Sequence, residues 1–164
     1  IRSEGELWQA LMRLGPSFLS YGLGFMTLGI FWTGQTTQFS FIERSNRGFT
    51  WLHIYFLMVV SLIPFSTAFL NAHIEYRTAV WLYWANIFLG GIGLYVTLKY
   101  ALRHKLTSLT DADQHITKAL FRRIVVAQLF YGAGALLCFV STYLGIGFIL
   151  LVQLNYALGL TSNR

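Results

Sequence analysis

The sequence predicts an all-α protein, a polytopic membrane helix bundle with five spans visible of a predicted six. Of its 164 residues 55% are hydrophobic and 11% are charged, against the roughly 25% charged residues that cover a soluble domain. Five stretches also approach the ~20 apolar residues needed to cross the hydrocarbon of a bilayer. One domain over 1–164 is expected at this length. A chain that is 17% aromatic is not disordered, and its one cysteine, Cys138, excludes an intramolecular disulfide or a thiolate metal site.

The first span is placed at 16–38, and the charged loop Glu43-Arg44-Ser45-Asn46-Arg47-Gly48 separates it from a second at 51–71. Pro64 predicts a bend in that second span, because it lacks a backbone donor and clashes with the preceding turn. A third span is placed at 79–102. The longest polar segment follows, and Thr110 with Asp113 predicts a capped helix start leading into a fourth span at 121–140. A fifth is placed at 143–160. Two spans are favoured there over one kinked helix, since the combined apolar length is nearly twice one crossing, and Gly145 and Gly147 are expected to help the chain reverse.

Basic residues divide unevenly between the two faces. Arg44, Arg47, Lys99, Arg103, Lys105, Lys118, Arg122, Arg123 and Arg164 fall on one side, and Arg2, Arg13 and Arg77 on the other. Loops rich in Lys and Arg stay in the cytoplasm, so the C-terminus is expected there and the protein in the cell membrane. This sidedness accounts for the net charge of +6 without nucleic acid as a partner; the lipid bilayer is the partner expected. The chain begins at Ile1 with no apolar core before Pro16, and an external N-terminus predicts a further span upstream.

All six carboxylates, Glu4, Glu6, Glu43, Glu75, Asp111 and Asp113, fall in predicted loops or termini, which disfavours a proton-coupled transporter. His73, His104 and His115 fall in loops and His53 just inside the second span, so no pair of histidines converges at depth to hold a haem or metal, and no cofactor is expected. No serine lies in a Gly-x-Ser-x-Gly elbow, and no enzyme is expected. Trp8, Trp51, Trp81 and Trp84 near span ends read as interfacial anchors. Gly93, Thr97 and Ala101 form a small-residue row suited to close helix approach.

The first span carries the most specific pattern. Ser17, Ser20, Gly24, Thr27, Phe31, Gly34 and Gln38 recur at three- and four-residue spacing and share one helical face. One reading is a packing seam closed by small residues and hydroxyl hydrogen bonds. The other has part of the stripe supporting a pore helix, with Gln35 and Gln38 near its cytoplasmic mouth.

Pro16-Ser17-Phe18-Leu19-Ser20-Tyr21, Gly29-Ile30-Phe31-Trp32, Trp51-Leu52-His53 and Leu62-Ile63-Pro64-Phe65 resemble the second and third helices of the transmembrane protein 175 family of potassium channels, in its prokaryotic single-repeat form. The resemblance implies a potassium-selective passive channel, potassium as permeant ion, and assembly with itself as a homotetramer around a pore at the symmetry axis. Gating would come from a hydrophobic constriction, and an endosomal or lysosomal membrane is the alternative location. The family's first helix lines the pore and carries an Arg and a Phe-Ser-Asp motif, so ion-contacting residues are expected on the span upstream of Ile1. Trp32, Gln35, His53, Ser20 and Thr27 are then expected to support that pore helix. Members often carry an Asn-His-His-like run after Trp32 where this chain has Thr33-Gly34-Gln35, and His53 stands where Asn is common. A secondary transporter, or a structural subunit that does not conduct, are the rival readings; an inverted repeat with broken helices would favour the transporter.

Overall fold

A computed structural model describes residues 15–157 and, before them, Gly5, Trp8, Gln9 and Met12. Six α-helices run through the continuous part: α1 (Gly15–Phe39), α2 (Arg47–Ser61), α3 (Ile63–Ala72), α4 (Arg77–Arg103), α5 (Gln114–Leu137) and α6 (Thr142–Ala157), with a short 3-10 turn at Asp111–Asp113 before α5. Among the described residues there is no β-strand, and the all-α bundle is as expected. Arg47–Ala72, Arg77–Arg103 and Gln114–Leu137 are long and apolar enough to cross a membrane. Thr142–Ala157 is a shorter apolar helix.

The stretch expected as one bent span is two helices. Pro64 has no N–H for the ladder, and the chain leaves α2 at Ser61 and restarts at Ile63, with Leu62 between them and the proline in the first turn of α3. The Leu62 N–H turns to Val59 O at 3.2 Å instead. At the other end of α2 the Asn46 side chain accepts the Phe49 N–H at 2.9 Å, which caps the helix and sets where it begins.

Helix α4 occupies the centre of the bundle and packs on all five other helices. Its buried positions Ala79, Tyr83, Ile87, Gly90, Leu94, Leu98 and Ala101 recur every three or four residues along its length. Gly93, Thr97 and Ala101 are buried there, with Gly93 against the Phe56 ring. Phe31 of α1 lies across Gly90, where an added Cβ would sit 2.6 Å from the ring.

Helices α5 and α6 form an antiparallel hairpin: Gly134 faces Ile149, and Gly145 meets Cys138 and the Gly134 carbonyl. Both Gly145 and Gly147 lie inside α6, and the chain reverses before them, over Cys138 to Ser141. The expectation that the two glycines make the reversal is corrected. Gly145 serves close packing, and Gly147 has nothing within 4 Å of an added Cβ.

The loops at the basic end are stitched together. Ser108 N–H donates to Phe41 O at 2.9 Å and Glu43 N–H to Leu106 O at 2.9 Å, around a single antiparallel bridge between Ile42 and Thr107. Helix α4 ends there in a Schellman turn, with Leu106 N–H on Ala101 O at 2.9 Å and Lys105 N–H on Leu102 O at 3.2 Å. The capping box expected at Thr110 and Asp113 is formed, 2.9 Å from the Thr110 N–H to the Asp113 carboxylate. The Thr110 backbone N–H, and next its hydroxyl, hold the Asp113 carboxyl below the usual carboxylate range.

Candidate functional site

The small and polar stripe of α1 turns inward. Gly24, Thr27, Phe31 and Gln38 are buried among the chain's own helices, so for these residues the seam reading describes the geometry. Ser20 lies within α1, but its side chain is outside the described residues, as is that of Ser17.

Three polar groups meet where α1, α4 and α6 converge. The Thr27 hydroxyl lies 2.8 Å from the Tyr83 hydroxyl, and Gln153 Nε2 donates to Thr27 Oγ1 at 2.9 Å and to Tyr83 OH at 2.7 Å. Thr27 spends its own proton on Leu23 O at 2.9 Å, so it accepts from both partners, and Tyr83 donates to it while accepting from the amide. Every donor in the triad is thereby used. One acceptor, Gln153 Oε1, is buried without a partner. Polar groups left unpaired in hydrocarbon are costly, so a triad at this depth favours one relative position of three helices over others.

Two further contacts tie α1 down near the basic end. Gln35 Nε2 lies 2.8 Å from His53 Nδ1, the amide donating to an unprotonated ring nitrogen of α2. The His53 ring stacks on Phe56 with centroids 6.4 Å apart and meets Phe39 edge-on at 5.1 Å. Gln38 Nε2 donates to Leu94 O of α4 at 3.1 Å. Of the expected site residues, the structure therefore brings Gln35 and His53 together and places Thr27 in a separate cluster. Asn86 Nδ2, donating to Ser66 Oγ at 3.0 Å, ties α4 to α3 in the same manner.

Trp32 departs from this pattern. It lies outside the inward stripe of α1, 68% exposed, in line with Phe18, Tyr21 and Phe25. Along that face Gly22 and Gly29 have nothing within 4 Å of an added Cβ. Trp81, by contrast, is partnered within the chain, edge-on to Trp84 at 5.2 Å and to Phe139 at 5.9 Å. Within one chain, then, Trp32 is the outward-facing ring of the two, because its position falls outside the stripe of α1.

Tyr83 and Gln153 were not singled out by sequence reasoning. A signal existed for Gln153, since it interrupts an otherwise apolar run from Phe148 to Leu154, and polar residues at depth are rare enough to mark a site. Tyr83 gave none, because a tyrosine near a span end reads equally well as an interfacial anchor. Between α1 and α5, where Phe31, Gly34, Leu94, Ile124 and Tyr131 approach one another, a cavity of about 70 Å³ remains. Among the described residues no group of three His, Cys, Asp or Glu could hold a metal ion. The arrangement offers helix positioning.

Comparison with known proteins adds an independent finding. Residues 1–64 match the sequence model of the family described as endosomal/lysosomal potassium channel TMEM175. A protein named as a potassium channel in Streptomyces collinus is 35% identical over 71 residues, which is 43% of this chain and 34% of that one. Two others so named are similar over most of the chain. The Chryseobacterium protein is 24% identical over 153 residues, 92% of this chain and 77% of its own. That of Chamaesiphon minutus is 28% identical over 156 residues, 93% and 76% respectively. The resemblance read from the first two spans is borne out, and the match covers all but the last, Phe65, of the residues that carried it.

Proposed function

We propose, from the TMEM175-family sequence carried by residues 1–64, that the protein is a subunit of a potassium channel that conducts passively through an oligomer. The family match is the observation that carries this reading; the geometry is compatible with it. Closed cyclic assembly supplies a path at the symmetry axis, and bulky apolar side chains along such a path gate it by dewetting. A homotetramer is the assembly proposed.

In this reading α1 is the positioned element. Its inner face is held by Thr27 to α4 and α6, by Gln38 to α4 and by Gln35 to α2. Its outer face, Phe18, Tyr21, Phe25 and Trp32, stays free of its own bundle. That outer face is where we place the pore-forming neighbour in the assembly. Trp32 then makes the contact directly, and Gln35, His53 and Thr27 act at one remove by fixing the rotation of α1. The end rich in Lys and Arg faces the cytoplasm.

The test is potassium flux into liposomes containing the full-length protein, with and without an imposed proton gradient. Flux down the potassium gradient alone is expected. A flux that requires the proton gradient, or none under any ionic condition, would overturn the proposal.

A further inference from the structure

At the basic end, the stitched loops and the start of α5 enclose a groove of about 720 Å³. Lys105 and Lys118 line it together with Thr107, Ser108 and Thr117, and Leu102 and Leu109 form its apolar side. We propose that this groove holds the phosphate headgroup of an anionic phospholipid from the leaflet at the basic end.

Three observations converge on that occupant. Two lysines and the threonines Thr107 and Thr117 line one space, a set of cationic and hydroxyl donors that matches a phosphodiester carrying one negative charge and four acceptor oxygens. Glu43 also lines the groove, but the two lysines outnumber it, and Arg44 and Arg103 adjoin its wall in the sequence. The Asp113 carboxylate is already occupied by the Thr110 N–H and hydroxyl, at 2.9 and 2.8 Å.

The groove also lies at the end of Arg77–Arg103, a helix long and apolar enough to span, where lipid headgroups are expected. The two leucines would meet the first acyl carbons, a contact that a free anion has no use for.

Lys105 supplies the third observation. It is the one non-glycine residue with positive φ among those described, at 52°, and it occupies the position of the Schellman turn where glycine is favoured. A lysine there strains the backbone, and its side chain is one of those lining the groove. A role in binding explains a residue that the turn itself disfavours.

The experiment titrates the detergent-purified full-length protein with short-chain phosphatidylglycerol or phosphatidylcholine and reads retained lipid by native mass spectrometry. Phosphatidylglycerol is expected to bind at least tenfold more tightly than phosphatidylcholine. Lys105→Gly and Lys118→Gln should each weaken it about fivefold, the usual loss for one basic residue near an anionic surface. Lys99→Gln, basic but outside the groove, should change nothing. Because glycine suits the turn, Lys105→Gly should melt no lower than wild type, so that lost binding is not lost folding. Equal retention of both lipids, undiminished binding in Lys105→Gly, an equal loss in Lys99→Gln, or full displacement by millimolar inorganic phosphate would each overturn the proposal. The inference requires only the membrane placement, and potassium flux measured in parallel tests conduction separately.

Discussion

Replacing Tyr83 by Phe and Gln153 by Leu removes one member each from the same buried triad, yet the two changes should have unequal consequences. Tyr83→Phe deletes a hydroxyl that donates to Thr27 and accepts from Gln153 at 2.7 Å. Hydrogen bonds inside membrane bundles contribute about 0.6 kcal/mol each on average, so two bonds account for about 1.2 kcal/mol. The Gln153 N–H that had pointed at Tyr83 is then buried without an acceptor, at a further cost of about 1 to 3 kcal/mol. The expected total is about 2 to 4 kcal/mol.

Gln153→Leu also loses two bonds, about 1.2 kcal/mol. It removes as well the Oε1 that already lacks a partner, which returns about 1 to 3 kcal/mol. Thr27 and Tyr83 remain bonded to each other at 2.8 Å. The side chain is 0% exposed, and leucine of similar volume fills the space without a large void. The net change should lie between about 0.2 kcal/mol destabilising and about 1.8 kcal/mol stabilising. Reversible unfolding in mixed micelles against SDS mole fraction measures both variants. If Gln153→Leu is the more damaging of the two, the assignment of donors within the triad is wrong.

Gly145→Ala would drive a methyl group into Cys138 Sγ and to 2.7 Å from the Gly134 carbonyl, and should cost about 1 to 3 kcal/mol by overpacking; Gly147→Ala, in open space, should be silent in the same unfolding assay. Trp81→Ala should lower the melting temperature of the isolated chain more than Trp32→Ala, while Trp32→Ala should impair assembly or flux; a large folding defect from Trp32→Ala would contradict its outward placement. Asp113 has a depressed carboxyl pKa, so its contribution to the start of α5 is present above the unfolded value near 3.8 and is lost as pH falls through the lower folded value. Asp113→Asn should therefore remove that part of the acid dependence of melting, measured from pH 7 to 3.

Much of the architecture was legible because crossing a bilayer is a demand each segment meets alone. Apolar length placed the helices, Pro64 marked the break, and Thr110 with Asp113 marked the start before α5, all from local chemistry acting over a few residues. The inward rotation of α1 was half legible, since spacing showed that Gly24, Thr27, Phe31 and Gln38 share a face but not what that face would meet. The glycines of α6 misled because the same residue serves both turns and close packing, and only the position of Cys138 separates the two.

Composition and local pattern were enough for the class of molecule: a helical membrane protein, charged at one end, with a stripe on α1 and the family likeness that stripe adjoins. Its tertiary structure decided which polar groups meet. Thr27 finds Tyr83 56 residues away and Gln153 126 residues away, and no local pattern encodes such a meeting. Helix formation is enforced by the solvent along each segment separately, whereas the pairing of three side chains depends on the rotation and depth of three helices at once.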